Sequence, residues 1–374
     1  MTARERWQAA LDRRTADRTA TDYWATPEFS AKLIRHLGLS QKAEDELVHD
    51  LKAPLSESNL HPTDGFALLR RALDQLGVDF AIKLAPRYCG PEPAPHTDEF
   101  GIEYRTVNFG IGTYDEAVTH PLAHFRTVDE IAANYHWPEP DWWDYSGITA
   151  QVRGWEDHPI QAGGSEPFMV YKDLRGDEQA YVDLKRNPAI VHYCLERLFT
   201  LAHARTERIL TQLPPGLLAY VYVAEDLGSQ HGLLISPALC REFLFTGMKR
   251  MVELAHAHGA FVFHHDDGAI SRVLPDLVEL GIDILNPVQW RCPGMDRETL
   301  RRNWAEQLTF HGAMDNQQTL PFGTVEDVRA EVRESIRLLG PGYILAPCHN
   351  IQPNTPVENV VAMYDSARQA PGAA

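Results

Sequence analysis

The feature that most restricts the fold of this chain is a regular alternation that begins near residue 217. Short apolar runs fall at 217–224, 260–264, 283–288, 308–312 and 343–347, with helical patterns between them at 237–258, 269–280, 296–303 and 325–339. Strands that alternate with helices are joined by right-handed crossovers, and so lie parallel in one sheet. Five successive units at this spacing favour a closed (β/α)8 TIM-like barrel, an α/β fold, over an open sheet. A length of 374 residues suits one such barrel with additions, so a single barrel domain over 1–374 is expected.

The additions come first. Residues 3–13 place Trp7, Ala10 and Leu11 on one helical stripe. Helical patterns recur at 30–37, 41–51 and 65–76, an extended run ends at Asp22-Tyr23-Trp24, and 78–84 can form a strand. Residues 1–60 thus supply an N-terminal helical extension and the first strand. From 86 to 175 the text turns rich in Pro, Tyr, Trp and His, with Trp137, Trp142, Trp143 and Tyr145 close together. Too many large apolar side chains occur there for a solvated linker, so an irregular, aromatic-rich insertion over the barrel mouth is expected. Loop packing explains those aromatics better than a lid over a planar substrate. A helix starts at 176–183, a longer one covers 188–213, and the tail 371–374 should fray.

Net charge is −17 and no window forms a basic run, which argues against nucleic acid and anionic membrane surfaces. No apolar run has the length of a bilayer span, and the N-terminus lacks a signal-peptide core, so a cytoplasmic location is expected. The five cysteines (Cys89, Cys194, Cys240, Cys292, Cys348) are scattered without a CxxC pair. That suggests neither a disulfide framework nor a structural zinc knuckle. A homodimer is expected only because symmetric pairs are the commonest assemblies.

Chemistry collects where the strands end. The run Ala260-Phe-Val-Phe-His-His-Asp-Asp-Gly268 drives a strand into two imidazoles and two carboxylates. Side chains alternate along a strand, so His265 and Asp267 share one side while His264 and Asp266 take the other. The neighbouring junctions carry Glu225, Asp226 and Gln230, then Gln289, then Asn316 and Gln317, then Cys348 and His349. In a barrel these junctions share one face, which makes a common active site the expectation. His265, Asp267 and Cys348 form an N/O/S set that suits zinc, with Gln289 or a water in the fourth position. The alternative needs no metal: His349 and Asp226 handle protons or bind a substrate carboxylate in a hydrogen-bonded pocket.

The end of the chain adds a resemblance. Cys348-His-Asn-Ile-Gln-Pro-Asn-Thr-Pro-Val-Glu-Asn359 resembles the Gly-His-Gly-Ile-x-Pro-x-Thr-Pro-x-Glu-Asn signature of the uroporphyrinogen decarboxylase superfamily. Gly281-Ile-Asp-Ile-Leu-Asn-Pro-Val-Gln289, Ser236-Pro237 and the opening Ala9-Ala-Leu-Asp-Arg-Arg-Thr-Ala-Asp-Arg18 are similar as well. The resemblance implies a (β/α)8 barrel and two activities, tetrapyrrole decarboxylation or zinc-dependent methyl transfer linked to a corrinoid on a partner protein. Two departures bear on that choice. Tyr23-Trp-Ala-Thr-Pro-Glu-Phe29 stands where tetrapyrrole decarboxylases carry the arginine-rich Met-Arg-Gln-Ala-Gly-Arg, so the guanidiniums that grip a polycarboxylate are missing. Aspartate at 267 stands where the methyltransferase branch has the first cysteine of its zinc site, with Cys348 near the later one.

Three functions follow as expectations. The first is zinc-dependent group transfer or demethylation of a small substrate, with His265, Asp267, Cys348 and Gln289 at the metal. The second is metal-free decarboxylation of a carboxylated ring by His349, Asp226 and Tyr23. The third is non-catalytic small-molecule binding. Glu225, Gln230, His264, Asn316, Gln317 and Trp24 are the expected substrate-binding residues.

Overall fold

The structure, a computed structural model, describes residues 1–52, 64–110 and 112–370. The expected fraying at 371–374, and 53–60 of the expected N-terminal segment, lie outside these residues. Eight strands build one parallel sheet: β1 (Ala20–Thr21), β2 (Ile82–Leu84), β3 (Ile160–Ser165), β4 (Ala219–Val223), β5 (Phe261–His265), β6 (Ile284–Asn286), β7 (Thr309–Met314) and β8 (Tyr343–Pro347). Their order across the sheet is β1-β8-β7-β6-β5-β4-β3-β2. Every neighbouring pair is parallel, so the sheet is consistent with a TIM-like barrel.

The edge strands are too short to hold each other by a ladder, and side chains bridge them instead. The buried Asp79 carboxylate accepts from Thr21 N at 3.2 Å, Arg18 Nη1 at 2.6 Å and Arg6 Nη1 at 2.9 Å. Across the same gap, Ala81 N donates to Asp22 Oδ1 at 3.2 Å. Helix Ala3–Leu11, fixed at its start by a Thr2/Glu5 capping box, brings Arg6 and Trp7 to this seam. Trp7 donates its indole N–H to the Asp79 carbonyl at 2.8 Å and stacks on Tyr220.

Alternation along the strands makes two cores. Tyr220, Phe263, Ile284 and Ile344 pack with Trp7 and Leu11 in one cluster, which fills the inside of the sheet. Val221, Val262, Leu285, Phe310 and Leu345 pack against the helices in the other. Ser236 caps helix Pro237–Phe243, and a Thr324/Asp327 capping box opens helix Val325–Leu339.

Residues 86–175 hold more regular structure than the sequence implies. They include β3 and helix Pro167–Arg175, besides the antiparallel pair Tyr104–Asn108 and Thr113–Ala117. The sequence hides β3 because glycines stand at its centre. A Cβ at Gly163 would lie 2.7 Å from Thr206 Oγ1 on helix Pro188–Leu210, and one at Gly164 would lie 2.4 Å from the Tyr222 carbonyl oxygen. Close approach to the helix and to β4 removes the side chains that normally announce a strand, and a register irregularity marks the spot. Trp142 and Trp143 pack on Tyr88, and Trp137 on Tyr135 and Tyr193, which is loop packing.

The helix expected at 269–280 forms only over Leu274–Leu280, with Pro275 in its first turn. The residues before it make a loop. There Gly268, at a φ of +85°, passes so close to Ser229 that a Cβ would sit 2.4 Å from its carbonyl oxygen. Among the described residues, no helix is long and apolar enough to cross a membrane.

Removing the seam carboxylate takes one partner from each of two guanidiniums and from a buried N–H. Asp79→Ala should lower unfolding stability by about 3 kcal/mol in urea titration. A loss below about 1 kcal/mol would show that the seam is held by packing alone.

Candidate active site

His265 ends β5, and its register partner on β6 is Asn286. Its Nδ1 lies 2.6 Å from Asn286 Oδ1. An amide oxygen only accepts, so Nδ1 carries the proton and the Nε2 lone pair is left for another partner. Asn286 Nδ2 donates to His311 Nδ1 at 2.7 Å, and His311 Nε2 donates to Asp22 Oδ2 at 3.1 Å. Trp24 donates its indole N–H to the same Asp22 oxygen at 3.0 Å, and its ring lies 5.7 Å from that of His265. Tyr222 stacks on the same imidazole at 5.8 Å.

Asp267 stands two residues further on, in the loop that Gly268 permits. Gln289 fixes it: Nε2 donates to Asp267 Oδ1 at 3.0 Å, while Oε1 accepts from Gly268 N and Gln230 Nε2, both at 3.0 Å. Asp267 Oδ2 lies 3.8 Å from His349 Nε2. One ligand-type atom from each of His265, Asp267 and His349 falls within 4.8 Å of the others. Burial raises the Asp267 carboxyl above the ordinary range, and the two imidazoles oppose that shift.

Several expected residues face elsewhere. The Cys348 thiol donates to the Val288 carbonyl at 3.1 Å, and burial pushes it well above the usual thiol range. The strand stops at Pro347 and the chain bends at Cys348 and His349, so strict alternation no longer aims Cys348 inward. His349 takes the third place in the cluster. Gln289 spends both ends of its amide on holding the loop, which makes it a brace for Asp267 in place of the expected metal ligand. His264 lies on the outer face of β5 and donates Nδ1–H to the Val223 carbonyl at 2.7 Å; burial drops it to about 4.

Glu225 is sealed too. Both its oxygens accept from Phe168 N at 3.1 Å, at the start of helix Pro167–Arg175, so it serves that helix and not a substrate. The Tyr23 hydroxyl pairs with Ser30 Oγ at 2.9 Å, away from the cluster, and burial raises it well above the phenol range. Gln230, Asn316 and Gln317 line a small cavity beside Cys292 and Cys348, about 10 Å³ in volume. That space holds no more than a water. Asp226 lies close enough to Glu166 and Asp267 to raise both carboxyls, and its buried Oδ1 lacks a hydrogen-bond partner.

A larger cleft lies at the ends of β2, β3 and β4. It encloses about 370 Å³ between Lys83, Ser165, Glu166, Tyr222 and Arg205, over an apolar floor that includes Leu198 and Leu201. Burial raises Glu166 to about 7, repulsion from Asp226 adds to the shift, and Lys83 opposes it. Burial also lowers Lys83. The Ser165 hydroxyl is buried without a partner. Arg205 is stacked over Trp143, with its centre 3.8 Å from the ring. Sequence reading missed this half of the site because β3 was hidden. Its one signal is Lys83, a cation in an otherwise apolar strand.

A parallel sheet with imidazoles and carboxylates gathered at the carboxyl ends of its strands has the arrangement of a TIM-barrel enzyme. The family model for uroporphyrinogen decarboxylase (URO-D) matches residues 156–370, and the chain belongs to that family. It is 30% identical over 207 residues to the uroporphyrinogen decarboxylase of Anaeromyxobacter sp. (strain Fw109-5). Identity to the enzyme of the same name from Anaeromyxobacter dehalogenans (strain 2CP-C) is 29% over 207 residues. In both cases 54% of this chain matches 55% of the relative, so the chain spans about half the length of these curated relatives. In structure it is similar to a methyltransferase from Methanosarcina mazei, with a TM-score of 0.65 and 20% identity over 98% of each chain.

Glu166 gives the site a pH signature. A carboxyl raised to about 7 in the fold, against about 4.3 in the unfolded chain, stabilises the fold fully only below the lower value. That contribution fades as pH rises through about 7, where the folded state must ionise a carboxyl beside Asp226. The melting temperature should therefore fall more steeply between pH 5 and 8 in the wild type than in Glu166→Gln. Parallel curves would place this carboxyl in water.

Proposed function

We propose that this chain is a metal-dependent enzyme on a (β/α)8 barrel that transfers or removes a small group, such as methyl, from a small substrate. The observation that carries the reading is the convergence of His265, Asp267 and His349 within 4.8 Å. Two imidazoles and a carboxylate leave a zinc ion with an open position, and the proton on Nδ1 leaves the His265 Nε2 lone pair suited to a metal. Zinc held there would act as a Lewis acid on the substrate. Carboxylate and imidazole in place of thiolate make the donor set harder than that of a thiol-activating zinc site.

The protein's own groups do the rest. Gln289 keeps Asp267 in place, and Trp24 and Tyr222 flank His265. The cleft, at about 370 Å³, takes the substrate body against its apolar floor. Glu166, raised to about 7, can hold or release a proton near neutrality. Glu166, Asp226 and Asp267 bring carboxylates to one rim, and Arg205 is already engaged by Trp143 and, at 3.7 Å, by Glu99. Such a rim repels a polycarboxylate, which disfavours tetrapyrrole decarboxylation.

A second reading keeps one specific support. A protonated Glu166 beside Lys83 could bind a monocarboxylate and protonate a carbanion without metal. Metal analysis separates the two readings. The purified wild type should hold about one equivalent of zinc, as expected for a single three-ligand site. His265→Ala, Asp267→Ala and His349→Ala should lose it while Cys348→Ala keeps it. Loss in Cys348→Ala with retention in His349→Ala would move the site to the thiol. Decarboxylase turnover that survives chelation would favour the second reading.

A further inference from the structure

We infer that Asp22 is a positioning residue that decides, three hydrogen bonds away, which nitrogen of His265 carries its proton. The effect on a metal rests on the function proposed above; the effect on the imidazole does not. A carboxylate can only accept hydrogen bonds, so His311 must place a proton on Nε2 to reach Asp22 Oδ2 at 3.1 Å. A neutral His311 then accepts at Nδ1, and the group 2.7 Å away must be the Asn286 amide nitrogen. That orientation turns Asn286 Oδ1 toward His265, where it accepts from Nδ1–H at 2.6 Å. Each link fixes the next, and the direction starts at the carboxylate.

The chain is insulated. Asp22 is 1% exposed, and Asn286 and His311 are 0% exposed. The rings of Trp7, Trp24 and Phe263 stand 5.7, 5.8 and 4.9 Å from that of His311. Water therefore has no access to reverse a link. Asp22 itself is over-determined. Oδ1 accepts from Tyr23 N and Ala81 N, and Oδ2 accepts from Trp24 Nε1 and His311 Nε2.

Asp22→Asn tests this almost without change of shape. The new amide nitrogen cannot replace Oδ1, where two backbone N–H groups point. It must replace Oδ2, where Trp24, which is only partly buried, can turn to solvent and His311 can change tautomer. His311 then accepts at Nε2 and donates from Nδ1, Asn286 turns over, and its amide nitrogen donates to His265 Nδ1. The proton of His265 moves to Nε2 and closes the lone pair that faced the site.

The measurement is 15N NMR of the histidine rings in metal-free protein, paired with zinc titration. The wild type should show His265 protonated on Nδ1, Asp22→Asn should show it on Nε2, and zinc affinity should fall about 10- to 100-fold. Asn286→Leu cuts the chain in the middle and should abolish the single tautomer, which keeps the test open if Asp22→Asn fails to fold. Wild-type His265 protonated on Nε2, or an Asp22→Asn protein that keeps Nδ1–H, overturns the inference. A tautomer that switches in a protein that takes up no zinc supports the relay and sinks the metal reading alone.

Discussion

The candidate site depends on a single constraint, the joining of the two short edge strands of a curled parallel sheet. β1 spans two residues and β2 three, so a hydrogen-bonded ladder between them would add little. Asp79 and Asp22 replace that ladder, each accepting backbone N–H groups on opposite sides of the gap. Burying carboxylates is costly unless every lone pair is used, and here the donors are arranged to use them. Because Asp22 has one oxygen in the seam and the other in the interior network, the link between the edge strands and the hydrogen-bonded network that ends at His265 share one carboxylate. Fold and site are coupled there.

The sequence is most legible where secondary structure is regular. Strands β4 to β8 lie within or one or two residues beyond their expected runs, because apolar alternation and intervening amphipathic helices are local signals. β3 escaped because Thr206 and Tyr222 approach the backbone so closely that only glycine fits, and glycine carries no strand signal. The site followed the same division. Grouping polar residues at strand ends named His265, Asp267 and His349, whose ligand-type atoms lie within 4.8 Å of one another, since parallel strands finish on one rim whatever their spacing in the chain. It erred at Cys348, Glu225 and His264, where one residue of bend or register decides between cavity and outer layer. Glu166 follows a strand the text conceals, Lys83 sits on an expected strand whose partner is that hidden one, and Asp22, Asn286 and His311 become a network only through register.

On the function proposed above, charge argues against a polyanionic substrate at this rim. Burial raises Glu166 to about 7, and repulsion from Asp226 adds to the shift. Each such shift marks free energy held in the site and released when a cation, a proton or a metal arrives. A polyanionic ring would add to the repulsion. On the metal-dependent reading proposed above, a divalent ion at His265, Asp267 and His349 would relieve the repulsion between Asp226 and Asp267.

The donor set carries the argument one step further. A thiolate at Cys348 would need its proton removed inside a buried, carboxylate-rich pocket, which is why the thiol is pushed upward and donates to a carbonyl. An imidazole needs no such loss, because a neutral ring already offers one lone pair once its other nitrogen is committed. Within this electrostatic setting the fold can present nitrogen ligands without placing a further negative charge beside Asp267. On the metal-dependent reading proposed above, the acidic rim and the hydrogen-bonded imidazole network would be two sides of one solution, in which orientation by hydrogen bonds replaces deprotonation as the way to prepare a ligand.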